Sequence, residues 1–163
     1  MEAAERAGAR TRLLSGAFLA RLPIYDPTTS GGSAELQEML DAVRQADGIL
    51  ISTPGYHGSV SGMVKNALDG LEGLRTDARP YLEGRAVGCI VTADGWQAGG
   101  TVLSALRTIV HALRGWPTPL GVTFNPSAGA LFDDKGQFRE DSCVRQVEML
   151  ASQVVDFARA MHA

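Results

Sequence analysis

The run Ala86-Val-Gly-Cys-Ile-Val-Thr92 is apolar almost throughout and shows no alternation of polar and apolar residues. A strand of that composition has no face to offer water, so it belongs in a sheet covered on both sides. Two shorter runs, Gly48–Ser52 and Leu120–Phe124, read the same way, and helical patterns separate the three. Ser33 is placed to cap a helix over Ala34–Ala46 with Leu36, Leu40 and Val43 on one face. Met63–Leu71 carries Val64, Ala67, Leu68 and Leu71 at helical spacing. Thr101–Arg114 places Val102, Leu106, Ile109, Val110 and Leu113 on one side, and Gly115 closes it. A long terminal helix is expected over Asp141–Met161. Apolar strands alternating with helices predict βαβ units in an α/β fold, a doubly wound parallel sheet with helices on both faces.

The chain has 163 residues, 45% of them hydrophobic and 20% charged, with no repeat, linker or low-complexity tract, so residues 1–163 are expected to form one domain. A net charge of −3 and the absence of a Lys/Arg cluster give no reason to expect a nucleic-acid partner. No run approaches the roughly 20 apolar residues of a membrane span and no signal peptide leads the chain, so a cytoplasmic location is expected. Cys89 and Cys143 read as reduced, packed thiols, and His57, His111 and His162 have no metal-ligand spacing, so no metal site is expected.

Two turns follow strand ends with the composition of a ligand site: Thr53–Ser61 and Ala93–Gly100, each rich in glycine and each with an exposed-type aromatic residue, Tyr56 or Trp96. In open α/β sheets, ligands bind beyond the carboxyl ends of the strands. A small-residue turn that opens a helix also gathers backbone N–H groups and the positive end of a dipole. Such turns often serve connectivity alone, and spacing by itself does not separate the two uses. No Gly-x-Ser-x-Gly elbow and no GxxxxGK[ST] loop is present, which disfavours a generic hydrolase or nucleotide-dependent transferase.

The run Pro54-Gly-Tyr-His-Gly-Ser-Val-Ser-Gly-Met-Val-Lys-Asn-Ala-Leu-Asp69 resembles the signature of the NADPH-dependent FMN reductase family, flavodoxin-like proteins that include quinone, azo-dye and chromate reductases. The family form is Pro-Glu-Tyr-Asn-Gly-Ser-x-Pro-Gly-x-Leu-Lys-Asn-x-x-Asp. Pro54, Tyr56, Gly58, Ser59, Gly62, Lys65, Asn66 and Asp69 keep it, whereas Gly55, His57 and Ser61 depart. Leu22–Pro27, Ala93–Gly100 and Leu131–Gly136 are similar to further family segments, so the likeness runs along nearly the whole chain. It implies a three-layer, flavodoxin-like fold that binds FMN and takes electrons from NADPH or NADH. The acceptor would be flavin, a quinone or an azo compound, and the protein a homodimer or homotetramer.

The resemblance places Pro54, Gly55, Tyr56, His57, Gly58 and Ser59, with Asp94, Gly95 and Trp96, around the flavin. It names no catalytic side chain, since the flavin carries the hydride chemistry. Tyr56 either walls the ring or only fills the turn, and Trp96 either walls the ring or sits at a subunit interface. His57, where the family has an amide, either replaces some of that hydrogen bonding or is a solvated turn residue. Lys65, Asn66 and Asp69 read as residues of packing, capping or subunit contact.

One departure is large. The family opens with a central strand and a Gly-Ser-x-Arg-x-x-Ser type loop for the FMN phosphate, and this sequence has neither. Glu2–Gly8 resembles the end of the first helix, which makes Arg10–Leu14 the second strand of a sheet ordered 2-1-3-4-5. Removing a central strand costs on the order of ten ladder hydrogen bonds at about 1 kcal/mol net each, comparable to the roughly 5–15 kcal/mol that stabilises a whole domain. Three arrangements follow as expectations: further chain upstream of Met1, a sheet closed up with shifted pairing, or a partner chain filling the gap. Without the phosphate loop, FMN affinity is expected to fall by about a thousandfold or more. The alternative reading is therefore a divergent or truncated relative with weak or no flavin binding, serving as an assembly or regulatory module or holding another ligand in the same crevice.

Overall fold

In the computed structural model, which describes residues 1–28 and 32–162, the sheet is built on two long parallel strands. β1 (Gly48–Tyr56) and β3 (Ala86–Thr92) run in register from Gly48 beside Ala86 to Pro54 beside Thr92. A short antiparallel strand, β2 (Ser59–Val60), folds back on the end of β1. On its other side β3 pairs first with β4 (Trp116–Pro117) and then with β5 (Val122–Phe124). The third predicted strand is thus shorter than expected and split. At the break, the Thr118 N–H donates to Val87 O, its hydroxyl donates to Leu120 O at 2.7 Å, and its carbonyl accepts from the Arg107 guanidinium at 2.7 Å.

The helices form two layers. On one face lie α3 (Ala34–Gln45), α4 (Gly62–Gly70) and α5 (Trp96–Ala112), whose apolar sides close over Ile51, Val87, Cys89 and Val91. On the other lies α6 (Asp141–Met161), with α1 (Glu2–Arg6) held on it by an Arg6–Glu148 ion pair of 3.0 Å and by Arg159 donating to Ala7 O. The short α2 (Gly16–Leu19) packs Phe18 into the first layer. A parallel sheet with helices on both faces is what the alternation of strands and helices predicts, and its flavodoxin-like form is what the resemblance implies. Ser33 caps α3, as expected, by accepting from the Leu36 N–H.

Close approach of α6 to the sheet depends on glycine. A Cβ at Gly48 would stand 2.4 Å from Val154 Cγ1, and one at Gly88 would stand 3.1 Å from Leu150 Cγ and 3.2 Å from Val154 Cγ2. The base of the sheet is tied by Arg85, only 1% exposed, whose guanidinium donates to the carbonyls of Arg44, Ala46, Tyr81 and Glu83. Those acceptors include the last carbonyls of α3, which the helix itself leaves unpaired.

Arg10–Leu14 corrects one expectation. It is not a strand: it runs without a ladder partner, and Leu13 is 65% exposed. The sheet has not closed up with shifted pairing. Beyond the short β2, no strand among the described residues lies along the outer edge of β1, and Leu50 on that strand stays exposed. Arg10–Leu14 has no strand beside it, and its side chains bond elsewhere: Arg12 pairs with Glu38 at 2.6 Å and Thr11 donates to Glu5. The surface area of 9417 Å² exceeds the roughly 7,800 Å² expected of a compact 17.2 kDa monomer, in accord with a sheet left open on one side. No helix among the described residues is long and apolar enough to cross a membrane.

Candidate functional site

The carboxyl ends of β1 and β3 lie side by side, which brings the two sequence-predicted turns together. The first is a tight hairpin, which the strand–turn–helix reading did not anticipate. Gly55 pairs with Val60 and Tyr56 with Ser59, leaving His57 and Gly58 as the two central residues, with φ of +51° and +83°. Both angles positive is the geometry of a type I′ turn, which follows the twist of the strands it joins. Histidine, with asparagine and aspartate, is among the side chains that tolerate this region best. His57 therefore stands where an amide residue would meet the same backbone demand.

Thr53 anchors the hairpin from below. Its side chain is buried, accepts from the Ser61 N–H at 3.1 Å and donates to Pro54 O at 2.9 Å. Ser61 then caps α4 by accepting from the Val64 N–H at 3.2 Å. The turn is thereby fixed between a strand and a helix N-terminus, while Pro54, Tyr56, His57, Gly58 and Ser59 remain exposed. Gly55 is where the two loops meet: a Cβ there would lie 2.9 Å from Val102 and 3.0 Å from Ala93.

The second loop is shorter than expected. Helix α5 starts at Trp96, not Thr101, so only Ala93–Gly95 remain as loop. Glycines at 99 and 100 suggest a turn in sequence, but Gly99 lets α5 sit against Thr123, 3.3 Å from its notional Cβ. Gly95, at φ +92°, precedes the helix, and Trp96 is its first residue, 64% exposed. Asp94 is exposed beside them.

Asn125 and Ser127, which the sequence reading missed, hold this loop. The Asn125 Oδ1 accepts from the Gly95 N–H at 3.0 Å and the Ser127 N–H at 3.1 Å. Ser127 Oγ donates to Asp94 at 2.9 Å, and the Ala93 N–H donates to Phe124 O at 3.0 Å. An Asn-Pro-Ser sequence directly after a strand is the available signal, since asparagine commonly accepts from the N–H two residues on.

Lys65, Asn66 and Asp69 take structural parts. Lys65 pairs with Asp69 at 2.7 Å, and Asn66 pins Leu22–Pro27 to α4 by donating to Pro23 O and accepting from the Tyr25 N–H. Cys89 lies fully buried in β3, where burial pushes its thiol up to about 11, and Cys143 is half-buried.

The donor set fits the ring edge and ribityl chain of a flavin: a rigid exposed hairpin, a helix N-terminus beside it and a second clamped loop. It does not extend to the phosphate. Among the described residues, no further strand pairs with the outer edge of β1 beyond β2, so no strand-to-helix loop of the phosphate-binding type is set there.

A sequence model of the NADPH-dependent FMN reductase family matches residues 1–128. An FMN-dependent NADPH-azoreductase of Staphylococcus aureus (strain USA300) is 30% identical over 147 residues, covering 85% of this chain and 74% of that protein. An FMN-dependent NADPH-azoreductase of Staphylococcus haemolyticus is 29% identical over 132 residues, 80% of this chain and 66% of the relative. The chain thus spans about two thirds of the length of the latter. An oxidoreductase from Corynebacterium diphtheriae has a TM-score of 0.69 at 18% identity, with 98% of this chain and 82% of that one covered. A WrbA-like flavodoxin from Agrobacterium tumefaciens has a TM-score of 0.57 at 16% identity, with 90% and 86% covered. Both structures speak to fold alone.

Proposed function

The chain belongs to the NADPH-dependent FMN reductase family, and from that premise we propose that it is an FMN-dependent NAD(P)H oxidoreductase acting on flavin, quinone or azo-type acceptors in the cytoplasm. The observation that carries the reading is the His57–Gly58 hairpin fixed between β1 and the N-terminus of α4, next to the Asn125-clamped loop. Backbone N–H groups of the turn over Pro54–Ser59 would bind the ribityl chain and ring edge, with the Ser59 hydroxyl adding a donor. The α4 N-terminus would favour negative charge on the pyrimidine side. Tyr56 and Trp96 would wall the ring, and Asp94 and Gly95 would border it from the second loop. A bound flavin supplies the hydride and electron transfer, while the chain positions it and shields it from water. Ile24, Tyr56 and Met63 are exposed apolar side chains, which supports a homo-oligomer that covers them.

The test is anaerobic. The chain is mixed with FMN and NADPH, and the flavin's visible band is followed before and after adding menadione or an azo dye. Bleaching by NADPH and recovery on addition of the acceptor supports the reading. Bleaching no faster than with free FMN contradicts it and favours the non-catalytic alternative.

A further inference from the structure

A cavity of about 330 Å³ opens between the N-terminal ends of α5 and α6, beyond the carboxyl end of β5. The sheet order places it on the opposite side of the Ala93–Gly95 loop from the hairpin turn, so it is a separate space from the hairpin side of the flavin crevice, with Trp96 bordering both. Trp96, Phe124 and Leu131 give it apolar walls, and Asn125, Glu140 and Gln146 give it polar groups. Its volume lies at the lower end of the range for small-molecule sites, room for one substituted ring.

Asn125 is 8% exposed. Two N–H donors, from Gly95 and Ser127, point at one end of its amide, which must be the oxygen. The NH₂ end is thereby turned away from them and donates to no other described residue, yet among the described residues no buried side-chain nitrogen or oxygen is left without a partner. It follows that the NH₂ reaches open space, and the open space that Asn125 lines is the cavity. A buried amide held at one end with free donors at the other calls for an acceptor such as a carbonyl oxygen. Glu140 accepts from the Ser142 hydroxyl at 3.0 Å and keeps lone pairs for a ligand hydroxyl or amine. No lysine or arginine lines the cavity, so an anion meets only the Glu140 carboxylate.

We propose that this cavity is a second binding site, for an uncharged single-ring aromatic carbonyl compound bearing a hydroxyl or amino group. The ligand carbonyl accepts from Asn125 Nδ2, its hydroxyl or amine donates to Glu140, and its ring packs against Trp96 and Phe124. Because Asn125 also holds Gly95, ligand at this site touches the residue that sets the position of the Asp94–Trp96 loop.

The test uses the full chain and 4-hydroxybenzamide as probe, read by the Trp96 indole N–H signal in NMR. Saturable binding is expected with a Kd of about 1 mM or tighter. The anion 4-hydroxybenzoate should bind at least about tenfold more weakly. Asn125→Asp keeps an oxygen for Gly95 and Ser127 and replaces the donor with a charged carboxylate oxygen that repels the probe carbonyl, so it should weaken the probe about tenfold or more. Should that variant fail to fold, Gln146→Trp at the exposed mouth should block the probe as well. The probe should still bind saturably with FMN present. Absence of saturable binding, equal affinity in the wild type and both variants, or displacement of the probe by FMN would overturn the proposal. FMN binding measured without the probe reports on the flavin reading separately.

Discussion

Replacing Arg85 by methionine removes a buried guanidinium but keeps most of its volume, so the result reads hydrogen bonding rather than a cavity. Four carbonyls lose their donor: Ala46 O at 2.9 Å from Nε, Arg44 O at 3.1 Å from Nη2, and Tyr81 O and Glu83 O at 3.2 and 3.3 Å from Nη1. Each buried acceptor left unpaired costs about 1–3 kcal/mol, and water at the rim relieves part of the total. With water reaching part of them, the four carbonyls together cost about 3–5 kcal/mol. Offsetting it is the relief of burying a cation, since burial, and after it the nearby Arg79, already holds the guanidinium's pKa below its usual value. With a urea slope of about 2 kcal/mol/M, the unfolding midpoint should drop by roughly 1.5–2.5 M. Arg85→Lys should recover only part of the loss, because one ammonium cannot span carbonyls from two segments. The assay is urea unfolding followed by circular dichroism. A midpoint shift under about 0.3 M at unchanged slope would refute the view that Arg85 ties α3 to the base of β3.

Three further outcomes are expected. Thr53→Val should cost about 1–3 kcal/mol in thermal or urea unfolding, because the buried Ser61 N–H loses its acceptor. Gly48→Ala should cost about 1–3 kcal/mol, because its Cβ would press on the stiff Val154 side chain, and Val154→Ala should recover much of that loss. Cys89 has its pKa raised from an ordinary 9.0 to about 11 by burial, with Arg107 opposing. The unfolded chain then gives up the thiol proton at lower pH than the folded one, so stability is intact below about pH 9 and falls as pH rises toward about 11, by roughly 2–3 kcal/mol. Alkaline urea titrations of wild type and Cys89→Ala check this: the variant should lack that component of the pH dependence.

What the sequence reveals depends on how local the controlling physics is. Ala86–Thr92 could be read as a buried strand because composition alone rules out a wet face, and Ser33 as a helix cap because the bond it accepts spans three residues. The hairpin at His57–Gly58 escaped notice because β2 is only two residues long and lies against a motif that also opens a helix. The start of α5 was misplaced because Gly99 serves a contact with Thr123, more than twenty residues away, which no local pattern encodes. Asn125 was passed over for the same reason: its partner Gly95 lies on another loop. Arg10–Leu14 is expected as a strand only through the likeness of Glu2–Gly8 to the end of the family's first helix, but a strand needs a neighbour to pair with.

The central claim is that the described residues supply the ring-edge and ribityl half of a flavin site and no phosphate cradle. Parallel titrations of the chain with FMN and riboflavin, followed by flavin fluorescence, test it most directly. The two ligands differ only in the phosphate, so both should bind, with dissociation constants within about threefold, a gap of under 1 kcal/mol. A preference for FMN of a hundredfold or more would reveal a phosphate site the structure does not contain, and failure to bind either ligand would remove the flavin site altogether.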